Sequence, residues 1–150
     1  MNRWQRLACF ADTGFFYALV DAGDRWHAET TAILRQIQQQ GRPVVTTPLV
    51  VAEAHALMLY RLGHGVAMQW LTALEEWVEL IEVQSLHCQR AIEILAQYNN
   101  QLFSYTDAIS FSVLEAYALP IALSVDKHFL VFRGSYLTLP LAGTLLPAPE

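Results

Sequence analysis

Charge is what this sequence has least of. Only 15% of its 150 residues are Asp, Glu, Lys or Arg, where about 25% is usual. Nine Lys and Arg stand against fourteen Asp and Glu, for a formal net charge of −5. The broad basic surface that marks many nucleic-acid-binding domains is therefore absent. Glycine (7) and proline (6) are sparse, which excludes collagen-like and linker-rich chains. Two cysteines, Cys9 and Cys88, cannot build a disulfide framework and form no CxxC pair, so a reducing compartment suits the chain. No stretch approaches about 18 apolar residues free of charge, the minimum for a bilayer-spanning helix. The longest uncharged run, GSYLTLPLAGTLLPAP, is broken by three prolines. Arg3 and Arg6 ahead of ACFADTGFFYALV resemble a weak secretory signal, but Asp12 lies inside that apolar run. A soluble, cytoplasmic protein without membrane segments is expected.

What is present is apolar. At 54% hydrophobic, the chain excludes intrinsic disorder, which needs few apolar residues and much charge. Its length is that of one ordinary domain. No repeat, low-complexity tract or internal linker interrupts it, so residues 1–150 form a single unit, with a core over about 8–140 and a tail over about 141–150. Elements alternate along it. ACFAD, PVVTT, VELIEV and PIALSV read as strands, and YLTLP as a last edge strand. Between them run TGFFYALVDA, a helix capped by Asp24 and stopped at Gly41, and a helix opened by Thr47 and Pro48 and closed near Leu62. Gly63 and Gly65 separate it from VAMQWLTALEEW; Ser85 and Thr106 are placed to cap the last two long helices. The fold class expected is α/β, a mostly parallel sheet with helices on both faces. In such sheets ligands bind beyond the carboxyl ends of the strands.

Four carboxylates occupy awkward places. Asp12 closes the first strand and Asp126 follows the PIALSV strand, although strand ends also recruit Asp for turns alone. Glu53 shares a helix face with Leu49 and Leu57 and is apolar-flanked on almost every side. Burial is therefore expected for it, with a cation or a distant Arg as its partner. Asp107 follows Thr106 in a first helical turn, where a negative charge gains from the helix dipole. Its stripe nonetheless runs through Phe111, Leu114 and Ala118. Carboxylates gathered in one cleft repel and demand a cation, and oxygen ligands select Mg²⁺ or Mn²⁺.

The segments ADTGFFYAL, TTPLVVAEA, SYTDAISFSVLEA and ALSVDKHF, in this order and spacing, resemble the successive motifs of a PIN domain, specifically its VapC-like toxin branch. The resemblance spans about Cys9 to about Pro140 and implies a three-layer α/β/α fold. It places the family's acidic positions on Asp12, Glu53, Asp107 and Asp126, with Asp12, Asp107 and Asp126 as metal ligands. Supporting hydroxyls fall on Thr13 and Thr106. It implies a Mg²⁺-dependent endoribonuclease (Mn²⁺ being the alternative ion), RNA as substrate and a cognate antitoxin as partner. The cations nearest the motifs, Lys127, His128, Arg133 and Arg61, are the phosphate-contact candidates. A homodimer with an apolar groove is expected from the composition, with anchors around Trp70, Leu71, Leu74 and Trp77.

Other residues have simpler readings. His27 is expected in local capping, and His55, His64 and His87 show no metal-ligand spacing. Glu75, Glu76, Glu79 and Glu82 read as a solvated face. A non-catalytic PIN-like interaction module is the alternative. A phosphate-accepting switch domain would carry paired acids after its first strand, and a metal-dependent phosphatase would carry Asp where Gly14 stands.

Overall fold

The computed structural model describes residues 2–132 and 134–149. Five short strands, β1 (Cys9–Ala11), β2 (Val44–Thr46), β3 (Val78–Leu80), β4 (Ile121–Ser124) and β5 (Leu137–Pro140), form one sheet in the order β3-β2-β1-β4-β5. Every pairing is parallel. The three inner strands are buried throughout, which is why they read as unbroken apolar runs. β5 lies at an edge as expected, the position where Pro140 is tolerated. The chain leaves β1 for β2 on one side and returns through β4 on the other. That makes the β1–β4 boundary the topological switch point, where α/β sheets open a crevice.

Helices α1 (Arg3–Leu7), α2 (Thr13–Val20), α3 (His27–Gln40), α4 (Pro48–Leu62), α5 (His64–Leu74), α6 (Ser85–Gln97), α7 (Tyr105–Ala116) and α8 (His128–Val131) cover the sheet. Thr47 caps α4 by accepting the Val50 N–H at 3.4 Å, and Pro48 fills the first helical position. Gly41 ends α3 in the left-handed region at φ 62°, where a side chain would be strained. Among the described residues no helix is long and apolar enough to cross a membrane.

Several sequence expectations give way to local chemistry. The run containing Arg3 and Arg6 folds as α1, capped reciprocally by Asn2 and Gln5. Asp24 does not cap α3; its carboxylate accepts the Trp26 N–H at 2.8 Å in a turn, and Trp26 holds the cap position. Gln84 with His87 caps α6 instead of Ser85, and Ser104 with Asp107 caps α7 instead of Thr106. His27 bridges helices through Nδ1, 2.7 Å from the Ala18 carbonyl of α2. Gly63 alone separates α4 from α5, and Gly65 lies inside α5.

Trp70 and Leu74 are core residues and not interface anchors. Phe16 meets the rings of Trp70 and Trp77 at 5.3 and 5.8 Å, while Leu71 packs half-buried. The exposed apolar surface lies elsewhere, led by Tyr60 and Leu102, both 90% exposed, with Leu86, Ile92 and Leu59. The glutamates 75, 76, 79 and 82 are exposed, as a solvated face requires. Arg42, though buried, bonds the carbonyls of Leu7 and Pro147 at 3.2 and 2.7 Å, tying the tail to the base of the sheet.

Candidate active site

β1 and β4 run side by side, with Ala11 opposite Leu123. The next residue, Asp12, donates its N–H to the Leu123 carbonyl at 2.9 Å, which fixes its backbone against β4. Its carboxylate is almost wholly buried, and Oδ2 accepts from the Ser124 hydroxyl at 3.2 Å. The same Ser124 oxygen accepts the Asp126 N–H at 3.0 Å, so one serine couples both strand-end acids. Ser124 was missed from sequence; its signal was a hydroxyl closing an otherwise apolar strand.

Asp107 sits at the third position of α7. Its Oδ2 accepts the Ser104 N–H at 3.0 Å, while the Ser104 hydroxyl accepts the Asp107 N–H at 3.0 Å. The capping reading of Asp107 is therefore structurally real, with Ser104 as the partner. That same Oδ2 lies 3.2 Å from His128 Nδ1, which is 3.5 Å from Oδ1 of Asp126. Asp126 Oδ1 also accepts the His128 backbone N–H at 2.9 Å. Donor atoms of Asp107, Asp126 and His128 all lie within 4.8 Å of one another. His128, singled out for phosphate contact, thus stands inside the acid cluster.

Glu53 corrects the sequence reading of its burial. The inward stripe of α4 is Val50, Ala54 and Met58, and Glu53 lies off it, exposed. Leu49 and Leu57, one turn either side, are only half-buried against the core, so the face they share with Glu53 is the rim of the helix contact and not its centre. No Arg or Lys pairs with it among the described residues. It is nonetheless close enough for its charge to act on Asp12.

Asp12 carries the strongest electrostatic consequence. Burial pushes its pKa from 3.8 up to about 7, and the charges of Asp107, Asp126 and Glu53 push the same way, against a backbone hydrogen bond from Thr13. Among the described residues no Arg or Lys pairs with these acids. A divalent cation fits the donor set, because it would replace the proton that Asp12 otherwise retains. The buried Thr13 hydroxyl, without a hydrogen-bond partner among the described residues, is a further polar atom beside Asp12. Thr106 is half-buried one residue before Asp107.

The cations are more scattered. Lys127 is exposed beside Asp126, and Arg61 lies 5.2 Å over the Tyr17 ring, away from the acid contacts. Arg133 lies outside the described residues. A cavity of about 540 Å³ opens at the opposite, amino edge of the sheet, lined by Arg6, Arg42, Pro120 and Tyr136. Glu115 lines it, but Asp12, Glu53, Asp107 and Asp126 do not.

The raised pKa gives a signed expectation for the metal-free protein. Between pH 3.8 and about 7 the folded state holds a proton on Asp12 that the unfolded chain has released. Asp12 therefore erodes stability as pH rises through that window, and the full penalty is present above it. In chelator, the parent should melt several degrees lower at pH 8 than at pH 5.5, relative to an Asp12→Asn control. Equal pH dependence in the two proteins would contradict the burial assigned to Asp12.

A parallel α/β domain with carboxylates converging at its switch point is the architecture of a class of phosphate-handling domains that hold divalent cations. Residues 9–134 match the PIN domain model, and the chain belongs to the PIN domain family. Two curated proteins from strains of Mycobacterium tuberculosis, each named 23S rRNA-specific endonuclease VapC20, are 30% identical over 122 residues, covering 80% of this chain and 90% of theirs. The crystal structure of Mycobacterium tuberculosis VapC20, described as a sarcin–ricin loop cleaving toxin, superposes with a TM-score of 0.75 at 26% identity, covering 86% of this chain and 98% of that one. The expected family, the three-layer fold and the enzyme class, a metal-dependent endoribonuclease, are borne out together.

Proposed function

We propose that this chain is a Mg²⁺- or Mn²⁺-dependent endoribonuclease of the toxin type, acting in the cytoplasm on a structured RNA and restrained by a cognate antitoxin. The observation that supports it most is the convergence of Asp12, Asp107 and Asp126 on one crevice without a pairing Arg or Lys among the described residues. Asp12, Asp107 and Asp126 hold the cation, and Glu53 stands at the exposed rim.

A bound divalent cation supplies charge neutralisation at the scissile phosphate and acidifies a water. The chain's own residues do the rest. Ser124 orients the Asp12 carboxylate, and the Ser104 N–H holds Oδ2 of Asp107, leaving Oδ1 uncommitted among the described residues. Glu53, facing solvent, accepts a proton from water entering the crevice. Thr13 offers its hydroxyl to the phosphate or its water, and Thr106 flanks the other side. Lys127, exposed beside Asp126, is the phosphate-contact candidate nearest the acids. Arg61, over the Tyr17 ring, is a more distant one, and Arg133 is proposed from its sequence position alone.

The experiment is incubation of the full chain with structured RNAs, including a sarcin–ricin stem–loop, with Mg²⁺, with Mn²⁺ and with chelator. Cleavage of at least one RNA, lost in chelator, is expected. No metal-dependent cleavage in any RNA would favour the non-catalytic interaction module.

A homodimer belongs to the same proposal, supported by the exposed Leu59 and Tyr60 on α4. Light scattering should give twice the chain mass at micromolar concentration. A monomer at high concentration would remove the dimer and leave the nuclease intact. The antitoxin contact draws support from a groove of about 580 Å³ where Leu19, Val20, Leu34 and Trp77 stand beside the polar His27, Gln38 and Glu76.

A further inference from the structure

We infer that His128 is a metal ligand, and that its imidazole makes the crevice prefer Mn²⁺ over Mg²⁺. The inference rests on the acid-site reading above and adds a nitrogen donor to it. Three observations carry it. Nδ1 of His128 stands 3.2 and 3.5 Å from the carboxylate oxygens of Asp107 and Asp126. Ligand atoms bound side by side to an octahedral ion at about 2.1–2.2 Å lie about 3 Å apart. All three donors lie within 4.8 Å of one another, so on loss of the Nδ1 proton a cation would replace the hydrogen bond to Asp107 and draw the carboxylates inward. Second, the ring is held in place before any ion arrives. Phe103 meets it edge-on with centroids 5.2 Å apart, and its backbone N–H is fixed on Asp126 Oδ1. Third, the side chain is only 29% exposed, so it is not simply a solvated histidine extended toward RNA.

The chemistry of the donor decides the ion. Carboxylates accept Mg²⁺ and Mn²⁺ alike, but imidazole nitrogen binds first-row transition ions far better than Mg²⁺. A site of carboxylates alone would discriminate weakly between the two. Replacing one oxygen donor by Nδ1 separates them. A sequence scan for His–Cys or His–His spacing does not find such a site, because the other donors are carboxylates from a different helix and a different turn.

The test uses the full chain, with Mn²⁺ and Mg²⁺ each added alone. Calorimetry should give a Mn²⁺ dissociation constant at least about 30-fold below that for Mg²⁺. Pulsed electron paramagnetic resonance of the Mn²⁺-loaded parent should show coupling to a directly bound ¹⁴N. His128→Asn should lose that coupling and weaken Mn²⁺ about tenfold or more while changing Mg²⁺ little. His128→Asp, an all-oxygen variant, should bring the two affinities to within several-fold. Absence of nitrogen coupling in the parent overturns the inference without needing any variant, as does an unchanged Mn²⁺-to-Mg²⁺ ratio in folded His128→Asn. Asp107→Asn separates this failure from that of the site itself. If it binds both ions as the parent does, the acid-site reading fails. If it loses both while His128→Asn does not alter the ratio, only the role of His128 fails.

Discussion

Asp107→Asn is expected to lower RNA cleavage by three orders of magnitude or more while moving the metal-free melting temperature only slightly. The two halves of that result come from two roles of one side chain. As the third residue of α7, Asp107 accepts the Ser104 N–H, a contact that the isosteric amide oxygen of Asn can reproduce. The lost charge at the helix amino end costs roughly 0.3–1 kcal/mol. Removing a like charge beside Asp12 offsets part of it. Activity has no such compensation, because a neutral amide is a poor ligand and the metal supplies much of the charge stabilisation in phosphodiester hydrolysis. Melting curves and a cleavage assay on the same samples decide the matter. Parental cleavage by the variant would leave Asp107 a helix cap and nothing more.

Asp12→Asn should be inactive and more stable than the parent when metal is absent. Burial and three neighbouring acids hold the Asp12 pKa near 7, so at pH 8 the folded protein carries an ionised carboxylate in a poor environment. From an ordinary value of 3.8 that shift corresponds to a penalty on the order of 4 kcal/mol. The amide of Asn keeps an acceptor for Ser124 and removes the charge. A gain of about 5 °C or more in chelator at pH 8 is expected, since roughly 2–4 °C accompanies each kcal/mol in a domain of this size. Adding Mn²⁺ should raise the parent's melting temperature and hardly move the variant's, because ligand stabilisation follows affinity for the folded state. A less stable Asp12→Asn with a full Mn²⁺ response would contradict both the electrostatics and the metal assignment.

The strands were legible because the inner ones are buried on both faces, so their apolar runs have no competing explanation. Thr47–Pro48 and Gly41 were legible because capping chemistry is local. Ser85 and Thr106 misled for the same reason: each sits within two residues of the true cap, and a nearby polar side chain satisfies the helix N–H groups instead. Asp24 misled because its carboxylate closes a turn on the Trp26 N–H, and α3 starts without a side-chain cap. Glu53 shows a different limit. A shared helix face with Leu49 and Leu57 predicts burial only at the centre of that face, and here both leucines pack half-buried at its rim and leave Glu53 exposed. The strand-end acids were readable from one rule about parallel sheets. Ser124 and His128 were not, since their meaning comes from which atoms meet across β1, β4 and α7. Periodicity assigns faces; it does not assign partners.

The central claim is that Asp12, Asp107 and Asp126 form one divalent-cation site that cuts RNA. Anomalous diffraction from crystals of the full chain soaked in Mn²⁺ tests it most directly. The account predicts a single strong Mn²⁺ peak in the crevice at the carboxyl ends of β1 and β4, ligated by carboxylate oxygens of all three residues. A peak elsewhere, or an empty crevice at Mn²⁺ concentrations that support RNA cleavage, would contradict it.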